Sequence, residues 1–399
     1  MLPPTLLTLT LLSLCTSPAF AGAPNGSYAI WAADSAISRG QGNGLSSAGV
    51  PSVSYEHGEL WWGLQQLYAR GGNATYHEYI EAGVANIVFD NGTVHGGYNA
   101  SAFALDPIRT GPTILYLYDE TGDVKYKTAA DQFREQFKGH PRTAQGQFWH
   151  KLIYPNEGWL DGIYMGDVFY AQYTRDFEPD NTTAWDDIAL QFRLMYTNTL
   201  QNASAPNSTG LLYHGYDYSH TAVWASPDRG HSPEVWDRAL GWFLMALVDV
   251  LPILPPSYTP EFLGMLRTLA PRAVKAADKE TGVWWLVETQ PGRAGNYFES
   301  SGSAMVVYAL LRAVRLGYVS DRDGGVVGAM RKAYGYMVDN WVVDNGNGTM
   351  GWTNTVVVGS LDTAGDFDYY ISEPTDLNDL KGLAAFLLAS LEYEALPPA

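Results

Sequence analysis

Apolar positions along most of this chain recur at three- and four-residue intervals, the spacing that gathers one face of an α-helix. The stripes come in pairs separated by tight turns. Leu115-Tyr116-Leu117-Tyr118 closes one helical period, Thr121-Gly122-Asp123 turns the chain, and the next stripe runs from Tyr126 to Phe137. The same pattern recurs around Gly71-Gly72-Asn73-Ala74, Glu178-Pro179-Asp180-Asn181, Pro255-Pro256-Ser257 and Ser320-Asp321-Arg322-Asp323. In each case Gly, Pro, Asn or Asp ends one helix and starts another. Turns at such spacing mark a repeated helical hairpin rather than one bundle. From about Ser27 onward the pattern predicts roughly twelve helices, or six hairpins, closing into an all-α (α/α)6 toroid. Minor β structure is expected as a ribbon within 353–370, where Val356-Val357-Val358 follows a turn.

Four connections are long and chemically rich: 139–162, 201–233, 281–303 and 345–379. Loops of that length in a folded domain are mostly functional. In an alternating ring of hairpins they emerge on one end, the predicted active face. Where the inner helices begin sit Asp106, Asp161, Arg238, Ser301 with Ser303, and Asn378 with Asp379. Asp, Ser and Asn also suit helix N-caps, and capping accounts equally well for Ser301, Ser303 and Asp379.

The densest stretch is Phe148-Trp149-His150-Lys151, then Tyr154-Pro155, then Trp159-Leu160-Asp161-Gly162. An aspartate between bulky apolar residues is expected to have a raised pKa, which suits a general acid. A buried, hydrogen-bonded structural aspartate is the alternative. Tyr213-His214-Gly215-Tyr216-Asp217 and Trp236-Asp237-Arg238-Ala239-Leu240-Gly241-Trp242 follow. On a helix Arg238 and Trp242 share a face at i, i+4, a guanidinium beside an indole. Such a face suits a carboxylated sugar, or else simple packing with a cation–π contact.

Composition narrows the classes. The chain has 399 residues, 46% hydrophobic and 13% aromatic, enough for one large core, and no low-complexity linker divides it. One domain over 22–399 is expected. Residues 1–21 are expected to be an export signal. The apolar run from Leu6 to Leu14 is too short to cross a membrane, and Ala19-Phe20-Ala21 fits a cleavage site. A secreted, extracellular protein follows. Its one cysteine, Cys15, lies in that signal, so no disulfide, thiolate ligand or cysteine nucleophile is expected. Sequons at Asn25, Asn73, Asn91, Asn99, Asn181, Asn202, Asn207 and Asn347 favour a glycosylated export product. A net charge of −18 argues against a nucleic-acid partner. No zinc-binding His-x-x-x-His, phosphate-cradling glycine loop or Gly-x-Ser-x-Gly elbow occurs. Asp186-Asp187 fits the charged start of an outer helix.

With these residues in view, the chain resembles the unsaturated rhamnogalacturonyl hydrolases, glycoside hydrolase family 105. The likeness rests on the order Leu105-Asp106, Phe148 to Lys151, Trp159 to Gly162, Tyr213-His214 and Trp236 to Trp242. Asn296-Tyr297-Phe298-Glu299-Ser300-Ser301-Gly302, Tyr369-Tyr370-Ile371-Ser372 and Asn378-Asp379 complete it. The resemblance implies an (α/α)6 barrel that hydrates the C4=C5 double bond of a terminal unsaturated uronic acid on a pectin fragment. It implies Asp161 as general acid/base and Asp106 as a second carboxylate. His150 and His214 would bind the uronate, Trp159, Trp236 and Trp242 would wall the sugar, and Arg238 would hold polar groups nearby. No metal or organic cofactor is implied, and a monomer with no membrane partner is expected. The chain departs from the family pattern at Asn156-Glu157-Gly158, where the family has His-Gln-Met, and at Asp237, where it has a small residue. Both departures are expected to add negative charge near the site. The alternatives are an unsaturated glucuronyl hydrolase for other lyase products, a conventional glycosidase using Asp106 and Asp161, and a non-catalytic carbohydrate-binding toroid.

Overall fold

A computed structural model of the chain describes residues 22–202, 204 and 208–397. The expected export signal, 1–21, lies outside the described residues. Twelve principal helices follow in order: α1 (Tyr28–Ser38), α2 (Tyr55–Gly71), α3 (Ala74–Ala85), α4 (Gly111–Thr121), α5 (Val124–Gly139), α6 (Val168–Phe177), α7 (Thr182–Thr199), α8 (Asp237–Val250), α9 (Thr259–Ala276), α10 (Ser300–Arg315), α11 (Gly325–Trp341) and α12 (Leu380–Glu394). Five hairpins are consecutive: α2 with α3, α4 with α5, α6 with α7, α8 with α9, and α10 with α11. The sixth pairs the last helix, α12, with the first, α1. The even-numbered helices form an inner ring in which α2, α4, α6, α8, α10 and α12 each pack on the next, and α12 returns to α2. The fold is the (α/α)6 toroid that the hairpin count predicted.

Local chemistry places the hairpin turns as the sequence indicated. Asn73, Asp123 and Asn181 each accept a backbone N–H of the helix they start, from Thr75, Lys125 and Ala184. These bonds satisfy donors that helix geometry leaves unpaired. The inner helices α8 and α10 are buried almost all round, the mark of an element with no solvent face. Every residue of α8 is buried, and only three of the sixteen in α10 are not. Small residues let them approach closely: a Cβ on Gly241 of α8 would lie 2.7 Å from the Met305 Cβ of α10. Charges inside the ring are paired. Arg109 donates to Glu59 (3.2 Å) and to the Tyr164 hydroxyl (2.6 Å), and Arg312 pairs with Asp249 (3.3 Å).

All connections entering the inner ring emerge on one face. They comprise the four long loops foreseen and two more, 39–54 and 86–110. Among the described residues six short strands form three antiparallel ribbons, the first joining two connections and the others folding the last connection on itself. These are β1 (Glu157–Trp159) with β2 (Gly215–Asp217), β3 (Val342–Asp344) with β4 (Met350–Trp352), and β5 (Thr355–Val356) with β6 (Thr375–Asp376). The ribbon expected within 353–370 is therefore shorter and pairs beyond its expected end. Tyr370 lies instead in a short helix, Phe367–Ser372. Past Val356 the ladder meets Pro374, which has a carbonyl for Val357 N–H but no N–H to return.

Candidate active site

Asp161 sits in the first turn of a helix that starts as Leu160–Gly162, widens to a π-turn at Ile163–Asp167, and continues as α6. A π-turn inserts an extra residue and re-aims the turn before it. The aspartate thereby faces a cavity of about 180 Å³ at the mouth of the inner ring. Asp106, His150, Trp159, Trp236, Arg238 and Trp242 line the same cavity. Seven of the eight residues picked from the sequence thus converge, although they come from three different connections and the inner helices these lead into. His214 does not line it. That imidazole is fully buried behind Asp161, its Nε2 3.0 Å from Asp161 Oδ2 and its Nδ1 2.7 Å from the Tyr370 hydroxyl.

The order of that chain follows from proton affinity. Burial holds the Tyr370 phenol well above its ordinary pKa, with the nearby Tyr369 and Asp161 adding to the effect, so it stays protonated. It donates to His214 Nδ1, which leaves Nε2–H to donate to Asp161. Burial pushes the Asp161 carboxyl upward, but the electrostatic pull of His214 and its hydrogen bond outweigh that, and the pKa ends below its ordinary value. The desolvation expected from flanking apolar residues is real; a partner distant in sequence reverses its outcome.

The opposite wall is built from 86–110 and 140–159. Lys151 Nζ lies 2.7 Å from Asp106 Oδ2, and His150 Nε2 lies 3.4 Å from Oδ1. Burial opposes the Lys151 charge, but Asp106 more than compensates and raises its pKa. Burial pushes His150 down to about 4, so it is neutral over the mildly acidic and neutral range. Its ring is the end of an aromatic stack: His150 on Trp159 at 4.4 Å, and Trp159 on Tyr154 at 4.7 Å. Trp242 stacks on Tyr164 at 4.9 Å, the phenol held by Arg109.

Arg238 and Trp242 share the cavity face as their spacing predicted, but the guanidinium lies over Trp236, at 4.8 Å. It donates to Ser301 Oγ (3.2 Å) and to the Val356 carbonyl (2.7 Å), so α10 and β5 fix its position. Ser301 is thus a brace for Arg238, while the N-cap of α10 is the Glu299 side chain, which accepts from Gly302 N–H. Ser303 accepts from Trp284 N–H, and Asp379 caps α12 by accepting from Lys381 N–H. The two departures do not charge the cavity. Neither Glu157 nor Asp237 lines it. Burial raises Asp237 well above the carboxylate range, helped by Glu299, and raises Glu157 to about 7, where its Oε2 accepts the Trp159 indole N–H at 2.8 Å.

Four residues on the wall were not singled out from the sequence: Tyr55, Lys151, Tyr154 and Met165. Lys151 and Tyr154 stood inside a motif already noticed. Tyr55 opens inner helix α2, the same position in its hairpin that Asp161 and Arg238 hold in theirs, and the signal was the unrecognised long loop before it. Val358, Gly359 and Ser360 form the rim. Next to this rim a larger cavity of about 690 Å³ opens, lined by residues of 39–54, Glu56, His57, Val357 and 376–381. Tyr55 and Glu56, and Val357 and Val358, are consecutive pairs that put one member on each cavity.

Comparison with known proteins places this geometry. The family model described as Glycosyl Hydrolase Family 88 matches residues 34–396. A glycoside hydrolase of family 105 from C. acetobutylicum is 36% identical, with a TM-score of 0.85 over 93% of this chain and all of that one. A 24.9 kDa protein in the picA locus of Rhizobium radiobacter is 38% identical over 198 residues, 48% of this chain and 84% of that protein. An unsaturated glucuronyl hydrolase from Bacillus sp. GL1 shares the fold at a TM-score of 0.64 and 15% identity, over 92% of this chain and 95% of that one.

Proposed function

The chain belongs to Glycosyl Hydrolase Family 88, and from that premise we propose that it hydrates the C4=C5 double bond of a terminal unsaturated galacturonic acid on rhamnogalacturonan fragments. The observation that carries the reading is the pairing across one small cavity. An aspartate backed by a tyrosine–histidine chain faces a second aspartate held by a lysine.

In this reading the uronate carboxylate approaches Lys151 and Arg238, which supply the positive charge of the wall. Trp242 and the Trp159 stack flank the ring. The substrate brings a negative charge and expels water, and both push Asp161 upward from its low resting pKa. Asp161 then donates its proton to C4. Water adds to C5, and its proton returns to Asp161. The C5 hemiketal opens by breaking its bond to the ring oxygen, and the hemiacetal left at C1 releases the remaining sugar chain.

Elimination by a lyase erases the C4 stereocentre, so galacturonyl and glucuronyl residues arrive as the same unsaturated ring. Discrimination must therefore come from the configuration of the C1 linkage and from the leaving sugar, which lies outside the 180 Å³ cavity. Val357 and Val358, 37% and 42% exposed, lie at that exit. An apolar rim suits the methyl group of a 6-deoxyhexose such as rhamnose better than a sulfated sugar. The same reading takes the enzyme as an exported monomer.

The test is the loss of ultraviolet absorbance from lyase-generated rhamnogalacturonan oligosaccharides, with wild type beside Asp161→Asn. Loss with wild type and at least about a hundredfold slower loss with the variant is expected. No loss with wild type on these fragments, but loss on glycosaminoglycan fragments, would replace the galacturonyl reading with the glucuronyl one. Cleavage of saturated substrates would replace both with a conventional glycosidase.

A further inference from the structure

Phe89 is an exposed large apolar side chain (51%) and stands two residues before Asn91 in the sequence Phe89-Asp90-Asn91-Gly92-Thr93. None of the other seven sequons has an aromatic residue at that position. The five residues form a tight hairpin end closed by a bridge between Val88 and Val94. Gly92 N–H donates to the Phe89 carbonyl (2.8 Å) and Phe89 N–H to the Thr93 carbonyl (3.0 Å). Gly92 itself is left-handed (φ 82°), which makes this a turn followed by a bulge.

The back of the turn is pinned. A Cβ on Gly92 would lie 2.5 Å from Thr128 Cβ of α5, and the Gly92 carbonyl accepts from Gln132 Nε2 at 2.7 Å. Phe89, Asn91 and Thr93 are consequently left exposed. The Phe89 ring is held flat by a stack on His95, 3.8 Å between centroids and 6° between planes. Asn91 Oδ1 accepts Thr93 N–H (2.9 Å), and among the described residues nothing engages its Nδ2. By contrast, Asn181 spends its amide nitrogen on Glu178 (2.8 Å).

We propose that Asn91 carries an N-linked glycan whose first N-acetylglucosamine lies on the exposed face of Phe89. The donor is an oligosaccharide on a lipid diphosphate. Asn91 Nδ2 forms the bond to the anomeric carbon, the bond from that carbon to the phosphate oxygen breaks, the lipid diphosphate leaves, and the amide gives up one proton. The C–H face of a sugar covers an aromatic ring in the way apolar groups do, and a ring already immobilised loses no further freedom. The turn belongs to 86–110, the connection that delivers Asp106, so the sugar braces a segment on which the cavity depends. The proposal rests on the export of the chain through a glycosylating pathway and not on the reaction assigned above.

The experiment uses the full chain secreted from a eukaryotic host. Site occupancy is read by peptide mass mapping, and melting temperature is read for the protein trimmed to one N-acetylglucosamine and for Asn91→Gln, each with Phe89 and with Phe89→Ala. Occupied Asn91 is expected, with the Asn91→Gln change lowering Tm by about 1–2 °C more when Phe89 is present than when it is alanine. Equal loss of Tm in both backgrounds would overturn the contact with Phe89. An empty Asn91, whether or not the other sequons are filled, would overturn the site itself. Hydration activity on unsaturated fragments stands or falls separately in either case.

Discussion

Replacing Glu157 by glutamine is expected to stabilise the protein above neutral pH and to leave it unchanged in acid. Glu157 is 8% exposed, faces Asp217 across the β1–β2 ribbon, and offers one hydrogen bond, to the Trp159 indole. Burial, with the charges of Asp217 and Asp362 adding to it, raises its pKa from 4.5 to about 7. A group with a raised pKa in the fold binds its proton more tightly there than in the unfolded chain. Its contribution is complete below pH 4.5 and is lost as pH rises through 7. The difference between the two pKa values corresponds to about 3 kcal/mol, and partial solvent access makes about 2 kcal/mol the reasonable expectation. Glutamine keeps an acceptor for Trp159 and presents an amide to the two carboxylates. Urea unfolding of wild type and Glu157→Gln at intervals from pH 4.5 to 8 measures the difference directly. Using the difference is necessary because His140 and His150, both pushed down to about 4 by burial, cost wild-type stability as pH falls from 6.5 toward 4. A gap between the proteins that stays constant across the range would refute the argument, as would a gap that widens in acid.

Lys151→Met should raise KM for unsaturated uronyl fragments ten- to a hundredfold, the loss of a charge-assisted contact worth about 1.5–3 kcal/mol; an unchanged KM would remove Lys151 from carboxylate binding. Tyr370→Phe should lower kcat about tenfold and shift the pH–rate profile while KM stays close to wild type, because it frees the His214 tautomer without touching the cavity wall. Equal rates at every pH would make the tyrosine–histidine link structural only. Gly241→Ala should lower stability by about 1–3 kcal/mol in thermal unfolding, since its Cβ would meet Met305 at 2.7 Å. Tetrasaccharide fragments should be cleaved with a higher kcat/KM than disaccharides if the leaving chain lies over the 690 Å³ cavity, and equal values would confine recognition to the terminal sugar.

The hairpin ring was legible in the sequence because its causes are local. Periodic apolar stripes, capping residues such as Asn73 and Asp123, and turn glycines act over a few residues, and six repetitions leave little choice but closure. Most of the site was legible as well, because inner helices start on the active face and Asp161, Arg238 and Trp242 stand at such starts. What the sequence could not order was the set of contacts between connections far apart in the chain. His214 stands 53 residues from Asp161 and 156 from Tyr370 in the chain, and only the folded ring brings the three together.

 The contact with His214 reverses the direction in which the Asp161 pKa is shifted, because a carboxylate's proton affinity is set by the nearest polar groups in space and by local burial together. The same holds for Asp237 and Glu157. In the sequence they looked like added negative charge at the site, and in the fold burial raises both carboxyls and keeps them off the cavity wall. Residue type and helical position are properties of a segment, whereas protonation, tautomer and the sharing of one cavity exist only once the ring has closed.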